Sequence, residues 1–181
     1  NLGETHLKTH EVFGDKVNVY LVEGQSNATA CSGGNPTYTS EWVRSFGSSL
    51  PEPTSISDTG WCRAQHTVPA THGSVGDWGL RIGQRVSEEL NKPVCIINGA
   101  YSGTVIEQHL PNLLNKLDSS TIYGRMLYRC TKAGIANGVR AIFWYQGEHH
   151  TDTAYTRWGE MWDSLRSAWK NDFPNIQRIV V

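Results

Sequence analysis

The chain has 181 residues, 38% of them hydrophobic, with seven Trp and seven Tyr; that suffices for one domain with a sizeable core and is too apolar for a disordered chain. No apolar run approaches the ~20 residues a membrane-crossing helix needs. The formal net charge of −1, with no cluster of Lys or Arg, argues against nucleic acid or an anionic membrane as the main partner, because both require a basic footprint.

In chain order, an irregular start carrying His6 and His10 reads as a tail, and Lys16 to Val22 reads as a buried strand. Residues 27–76 are rich in Ser, Thr, Gly and Pro with little periodicity. That is too long for an ordinary connection, and a functional insertion is expected there rather than a domain boundary. Ile82, Val86 and Leu90 then recur at helical spacing, and "KPVCIIN" follows as a continuous apolar run of strand type. "YGRMLYRCTKAGIANG" has helical character ending near Gly138, and "VRAIFWYQ" is the next predicted strand. In the last helix Trp158, Met161, Trp162, Leu165 and Trp169 fall on one face, with Pro174 past its end and "QRIVV" as a fourth strand. Strands alternating with helices predict a single α/β domain over 1–181 with a mostly parallel sheet, whose sites form outside the carboxyl ends of the strands.

Charged residues make up only 18% of the chain while Ser, Thr, Asn and Gly are abundant, a balance that points to a secreted or periplasmic protein. No charged-then-apolar leader opens the sequence, so a mature form is expected. Cys31, Cys62, Cys95 and Cys130 lack the paired spacing of a zinc or redox motif. Cys95 and Cys130 lie in apolar segments as buried thiols, whereas Cys31 and Cys62 flank part of the insertion and are expected to pair.

Three polar loops leave the carboxyl ends of predicted strands: "EGQSNA", "NGAYSGT" and "QGEHHTD". Each alone has an ordinary explanation. Gly-x-Ser-Asn is a common strand-ending turn, Gly99 and Gly103 suit tight backbone geometry, and Gln146 and Glu148 suit a solvated strand end. Together they supply a hydroxyl nucleophile, a glycine amide able to approach a reacting oxygen, and a carboxamide donor, the parts of an acyl-transfer site.

Gly24-Gln25-Ser26-Asn27, Gly103-Thr104-Val105-Ile106 and Trp144-Tyr145-Gln146-Gly147-Glu148 resemble, in order and spacing, the blocks of the SGNH hydrolase superfamily. The branch they are most similar to is the sialate O-acetylesterase and acetylxylan esterase-like group of carbohydrate esterases. The resemblance spans about 17–181, including "GDWGLRIGQRVSEEL" and "YTRWGEMWDSLRSAWKNDFPN". It implies a three-layer α/β/α sandwich with a flavodoxin-like parallel sheet and no cofactor. It further implies Ser26 as nucleophile, the Gly103 amide in the oxyanion hole, and Gln146 as the donor that replaces the superfamily's asparagine. Glu148 matches a position regarded either as a triad carboxylate or as a structural anchor, and we read it as an anchor. Gln25, Asn27, Thr104 and His149 are expected to contact substrate.

One departure is large. The superfamily's base is a histidine in an Asp-x-x-His block after the last strand, and these 181 residues contain no such block. The expectation is that the natural protein continues past Val181 or that another group serves as base. His149 and His150 could substitute but better suit solvent or sugar contact; His66 and His72 lie in the insertion, and His109 could contact substrate. A metal cluster of Glu148, His149, His150 and Asp152 matches no established zinc spacing, so no metal is expected. The serine loop lacks the second glycine of the Gly-x-Ser-x-Gly elbow, and neither a Walker loop nor a dinucleotide glycine pattern follows the first strand. Asn27-Ala28-Thr29 is formally a glycosylation sequon, read as coincidence.

Two functions follow. The first is a serine esterase removing O-acetyl groups from carbohydrate through an acyl-enzyme on Ser26, with an acetylated carbohydrate or small acetyl ester as partner. The second is a non-catalytic carbohydrate-binding module on the same fold, with Trp42, Trp61 and Trp78 as stacking surfaces.

Overall fold

The computed structural model describes residues 17–30, 38–48, 60–66, 72–148 and 155–181. Strand β1 (Asn18–Gly24) leads into the one-turn helix α1 (Ser26–Thr29). Strands β2 (Val43–Phe46) and β3 (Trp61–Arg63) follow, then helix α2 (Gly76–Leu90) and strand β4 (Val94–Asn98). A 3-10 turn at Ile106–His109 precedes helix α3 (Ile122–Lys132), strand β5 (Val139–Tyr145), helix α4 (Tyr155–Asp172) and strand β6 (Arg178–Val180).

The strands form one sheet in the order β3-β2-β4-β1-β5-β6. Every neighbouring pair is parallel except β2 with β3. β1 and β4 are buried almost throughout, as expected of central parallel strands covered on both faces. On one face α3 and α4 pack Tyr123, Met126, Leu165, Trp169 and Phe173 against Val19, Leu21, Cys95 and Ile97. On the other, α2 packs Leu80 against Val22, Val43, Val94 and Ile96. This is the expected three-layer α/β/α arrangement.

Helix boundaries follow local chemistry. The Thr121 hydroxyl caps α3 by accepting from the Gly124 amide at 3.0 Å, satisfying one orphan donor of the first turn. Asn91 ends α2 in the left-handed conformation at φ 48°, which asparagine tolerates better than most residues. The apolar stripe of α4 meets Trp144 of β5, whose ring lies 5.5 Å from Trp169 and 5.7 Å from Trp162.

Part of the 27–76 stretch departs from the sequence-based expectation. The described part of that stretch adds β2 and β3 to the sheet rather than forming an irregular insertion. Their four and three residues are too short to show periodicity, and all four side chains of β2 are buried, which removes the alternation that marks a half-exposed strand. Cys95 and Cys130 are both fully buried, as expected. Burial pushes the Cys130 thiol up to about 12 and raises Cys95 well above its ordinary value. Cys31 lies outside the described residues, and with it the expected Cys31–Cys62 bond. Among the described residues no helix is long and apolar enough to cross a membrane.

Candidate active site

β4, β1 and β5 are adjacent and parallel, so the loops leaving their carboxyl ends meet at one edge of the sheet. The chain runs from β1 toward β4 on one side and returns to β5 on the other, making this edge the topological switch point where α/β folds place ligands.

Main-chain hydrogen bonds tie the three loops together. The Gln25 amide donates to the Tyr145 carbonyl at 3.0 Å, and the Tyr101 amide to the Gly24 carbonyl at 2.9 Å. Gly24 makes this approach feasible. Its φ is +131°, and a Cβ there would sit 1.9 Å from the Tyr145 carbonyl oxygen. Gly24, two residues before Ser26, is therefore demanded by both conformation and space.

Ser26 is the first residue of α1 and is exposed. Its carbonyl accepts from the Thr29 hydroxyl at 2.7 Å and the Ala30 amide at 3.2 Å, closing the turn that lifts the serine off the strand. Asn27, also exposed, donates from Nδ2 to Glu148 Oε1 at 2.5 Å, so the third loop is bound to the residue after the serine. The Trp78 indole N–H donates to the Asn27 carbonyl at 2.9 Å, and the Trp78 ring stands edge-on to Tyr145 at 5.9 Å.

In the second loop Gly103 has φ +74°, is exposed, and has no atom within 4 Å of where a Cβ would be. Only its backbone conformation calls for glycine, and the space above it is open. Thr104 is buried, its hydroxyl 2.7 Å from the Tyr101 carbonyl and 2.8 Å from His109 Nε2. The Gln146 Nε2 donates to the Thr104 carbonyl at 3.2 Å, which fixes the carboxamide against the second loop. A cavity of about 330 Å³ runs along the third loop, lined by Trp144, Tyr145, Gln146, Gly147, Glu148 and Val181.

The structure thus brings Ser26, Asn27, Gly103, Gln146 and Glu148 to one edge, with the Gln25 and Thr104 side chains buried beneath it. His149, His150 and Asp152 lie outside the described residues. His109, which the sequence left open as a substrate contact, lies in the interior: its side chain is 1% exposed, between Glu23 and Trp144. Of the tryptophans expected to stack on sugar, Trp42 is exposed, Trp61 packs edge-on against Phe46 at 5.4 Å, and Trp78 buttresses the serine loop.

Three supporting residues escaped the sequence analysis. Buried Asn98 donates from Nδ2 to the Ala28 and Val75 carbonyls and accepts from the Ala100 amide, joining the first loop, α2 and the second loop. Arg129, fully buried on α3, donates to the Phe46 and Asn98 carbonyls at 2.7 Å each. Glu23 lies in β1 at 2% exposure. Glu23 and Asn98 left a signal, a charge or carboxamide at the end of an apolar strand, which is costly unless it is bonded, whereas Arg129 shares its helix with Arg125 and Lys132 and left none.

A family model described as "Carbohydrate esterase, sialic acid-specific acetylesterase" matches residues 16–181. Among solved structures, a protein of Arabidopsis thaliana superposes with a TM-score of 0.64 at 18% identity, covering 87% of this chain and 69% of that one. A carbohydrate acetylesterase from Xanthomonas citri superposes with a TM-score of 0.55 at 20% identity, covering 87% of this chain and 39% of that one. At these identities the likeness is one of fold. No curated protein matches.

Proposed function

Given that the chain belongs to the sialic acid-specific acetylesterase family of carbohydrate esterases, we propose that it removes O-acetyl groups from carbohydrate with Ser26 as nucleophile. The observation that carries this reading is the convergence of three loops on one edge: Gln25 to Tyr145, Tyr101 to Gly24, Asn27 to Glu148 and Gln146 to Thr104.

In the proposed reaction Ser26 Oγ attacks the acetyl carbonyl carbon and gives its proton to a base. The negative charge that develops on the carbonyl oxygen is held by the Ser26 and Gly103 amides and by the Gln146 carboxamide. Such donors matter because they are oriented before the charge appears. The bond to the sugar oxygen breaks, the sugar leaves as an alcohol carrying a proton, and water releases acetate from the acyl-enzyme. Glu148 anchors Asn27 and with it the serine loop. Gln25 and Thr104, expected from the sequence to contact substrate, are buried and in this reading support the site from beneath, while Asn27 and His149 contact the substrate. The base is a histidine other than His109, whose ring nitrogens face Glu23 and Thr104 in the interior.

The test is acetate release from acetylated xylan and from O-acetylated sialic acid by the full-length protein and its Ser26→Ala variant. The expected result is turnover of one substrate and its loss in the variant. Equal activity of Ser26→Ala would overturn the serine mechanism, and sugar binding without acetate release would favour a binding module.

A further inference from the structure

We propose that Glu23 and His109 form a buried pair sharing one proton, and that through Thr104 this pair positions the oxyanion donors. The inference rests on the esterase reading for its catalytic consequence, but its geometry is independent of that reading.

Glu23 lies three residues before Ser26 on β1, and His109 closes the 3-10 turn that follows the second loop. Their side chains are 2% and 1% exposed, with Nδ1 3.4 Å from Oε2. The imidazole stands edge-on to Trp144 at 5.1 Å. Gly99 leaves room for the carboxylate, since a Cβ there would lie 2.1 Å from Glu23 Oε1. Tyr123 and Cys130 on α3 add no charge, because burial raises both above their ordinary values.

Proton bookkeeping fixes the tautomer. The Tyr101 carbonyl only accepts, so the Thr104 hydroxyl, 2.7 Å away, spends its single proton there. At 2.8 Å from His109 Nε2 the same oxygen must then accept, so Nε2 carries a hydrogen. A neutral ring with Nε2–H presents a lone pair at Nδ1, and an ionised carboxylate facing it would set lone pair against lone pair in a site closed to water. One further proton therefore lies between Nδ1 and Oε2, on the ring or on the carboxyl. Either way the pair is neutral overall.

The pair links the nucleophile strand to the donors. His109 Nε2 holds the Thr104 hydroxyl, whose residue follows Gly103 and whose carbonyl holds Gln146 Nε2. Glu23 and His109 are thus positioning residues: His109 reaches Gln146 through two hydrogen bonds and Glu23 through His109, and neither touches the reacting atoms.

Two substitution pairs test this. Thr104→Val removes the hydroxyl at nearly constant shape, and Thr104→Ser restores it. Glu23→Leu removes the proton partner, and Glu23→Gln supplies an N–H to Nδ1. Thr104→Val and Glu23→Leu should lower kcat about tenfold or more, equivalent to at least ~1.4 kcal/mol, with KM changed less than about twofold. Thr104→Ser and Glu23→Gln should recover most of that loss. On 15N-labelled protein, His109 should show Nε2–H with a hydrogen-bonded Nδ1. The Gly103 amide and Gln146 side-chain resonances should shift in Thr104→Val but not in Thr104→Ser. These resonances report on the pair whether or not the protein turns over an acetyl ester, whereas inertness of the wild type would count against the esterase reading alone. An Nδ1–H tautomer with bare Nε2, unchanged Gln146 resonances in Thr104→Val, or a loss confined to KM would overturn the inference.

Discussion

At the scale of single residues, the Gln146 side chain has to reach back from the third loop to the Thr104 carbonyl to be oriented. A donor held in this way contributes to the transition state far more than to substrate binding. Gln146→Ala is expected to lower kcat by about 100- to 1000-fold, or about 2.7 to 4 kcal/mol, with little change in KM, as steady-state kinetics on an acetyl ester will measure. Glu148 is exposed, and its bond to Asn27 is correspondingly screened. Glu148→Gln should therefore reduce kcat only a few-fold, about 0.5 to 1 kcal/mol, the amount expected of an exposed charged contact rather than of a triad member. A loss of several orders of magnitude would instead make Glu148 part of the triad. Ser26, Gln146 and Glu148 stood out in the sequence as candidates because each sits in a short block whose residue types suit one chemistry. Glu23, Asn98 and Arg129 did not, because the partners that join them to other elements lie 23 to 86 residues away. A polar residue in an apolar run announces that it has a partner but not which one.

At the scale of elements, α2 lies close against the sheet through two glycines. A Cβ on Gly83 would meet Val43 Cγ1 at 2.4 Å, whereas one on Gly79 would find its nearest neighbour, Val75 Cβ, at 3.2 Å. Gly83→Ala should cost about 1 to 3 kcal/mol by overpacking. Gly79→Ala should cost less, because the helix propensity gained, about 0.8 to 1 kcal/mol, offsets the tighter contact. Urea unfolding of the two variants checks the order. The elements legible in the sequence were those long enough to display a period, α2, α3 and α4, or apolar enough to read as strand runs, β1, β4, β5 and β6. β2 and β3 were hidden because their strand character comes from pairing: Arg44 with Arg63, Ser45 with Cys62 and Phe46 with Trp61. Only the last of these pairs is large and apolar on both sides. Tertiary context decides such short strands more than intrinsic propensity does.

At the scale of the whole molecule, burial sets the pH range over which the fold holds. Cys130 rises from its ordinary 9.0 to about 12, and Cys95 and Tyr123 are also raised, in each case first by burial. A raised acid is neutral in the folded state while its unfolded counterpart ionises. Its stabilisation is therefore fully present below the unfolded value and is lost as pH climbs toward the folded one. Thermal unfolding midpoints should thus be insensitive to these groups below about pH 9 and should fall between about pH 9 and 12. Cys130→Ala should flatten that fall, since it removes a buried thiol whose rise contributes to it. The overall architecture was legible because alternating strands and helices admit few arrangements, and right-handed parallel crossovers leave fewer still.

The bonds that join the three loops include two made entirely by main-chain atoms, Gln25 N–H to the Tyr145 carbonyl and Tyr101 N–H to the Gly24 carbonyl. A peptide bond has the same donor and acceptor whatever side chain it carries. The scaffold of this edge is therefore separable from its reactive inventory. The side chain at 26 can be exchanged while the backbone that presents it stays in register, so the fold can retain a platform and trade one chemistry for another. Ser26→Cys is the smallest such trade, a thiol offered from the same perch.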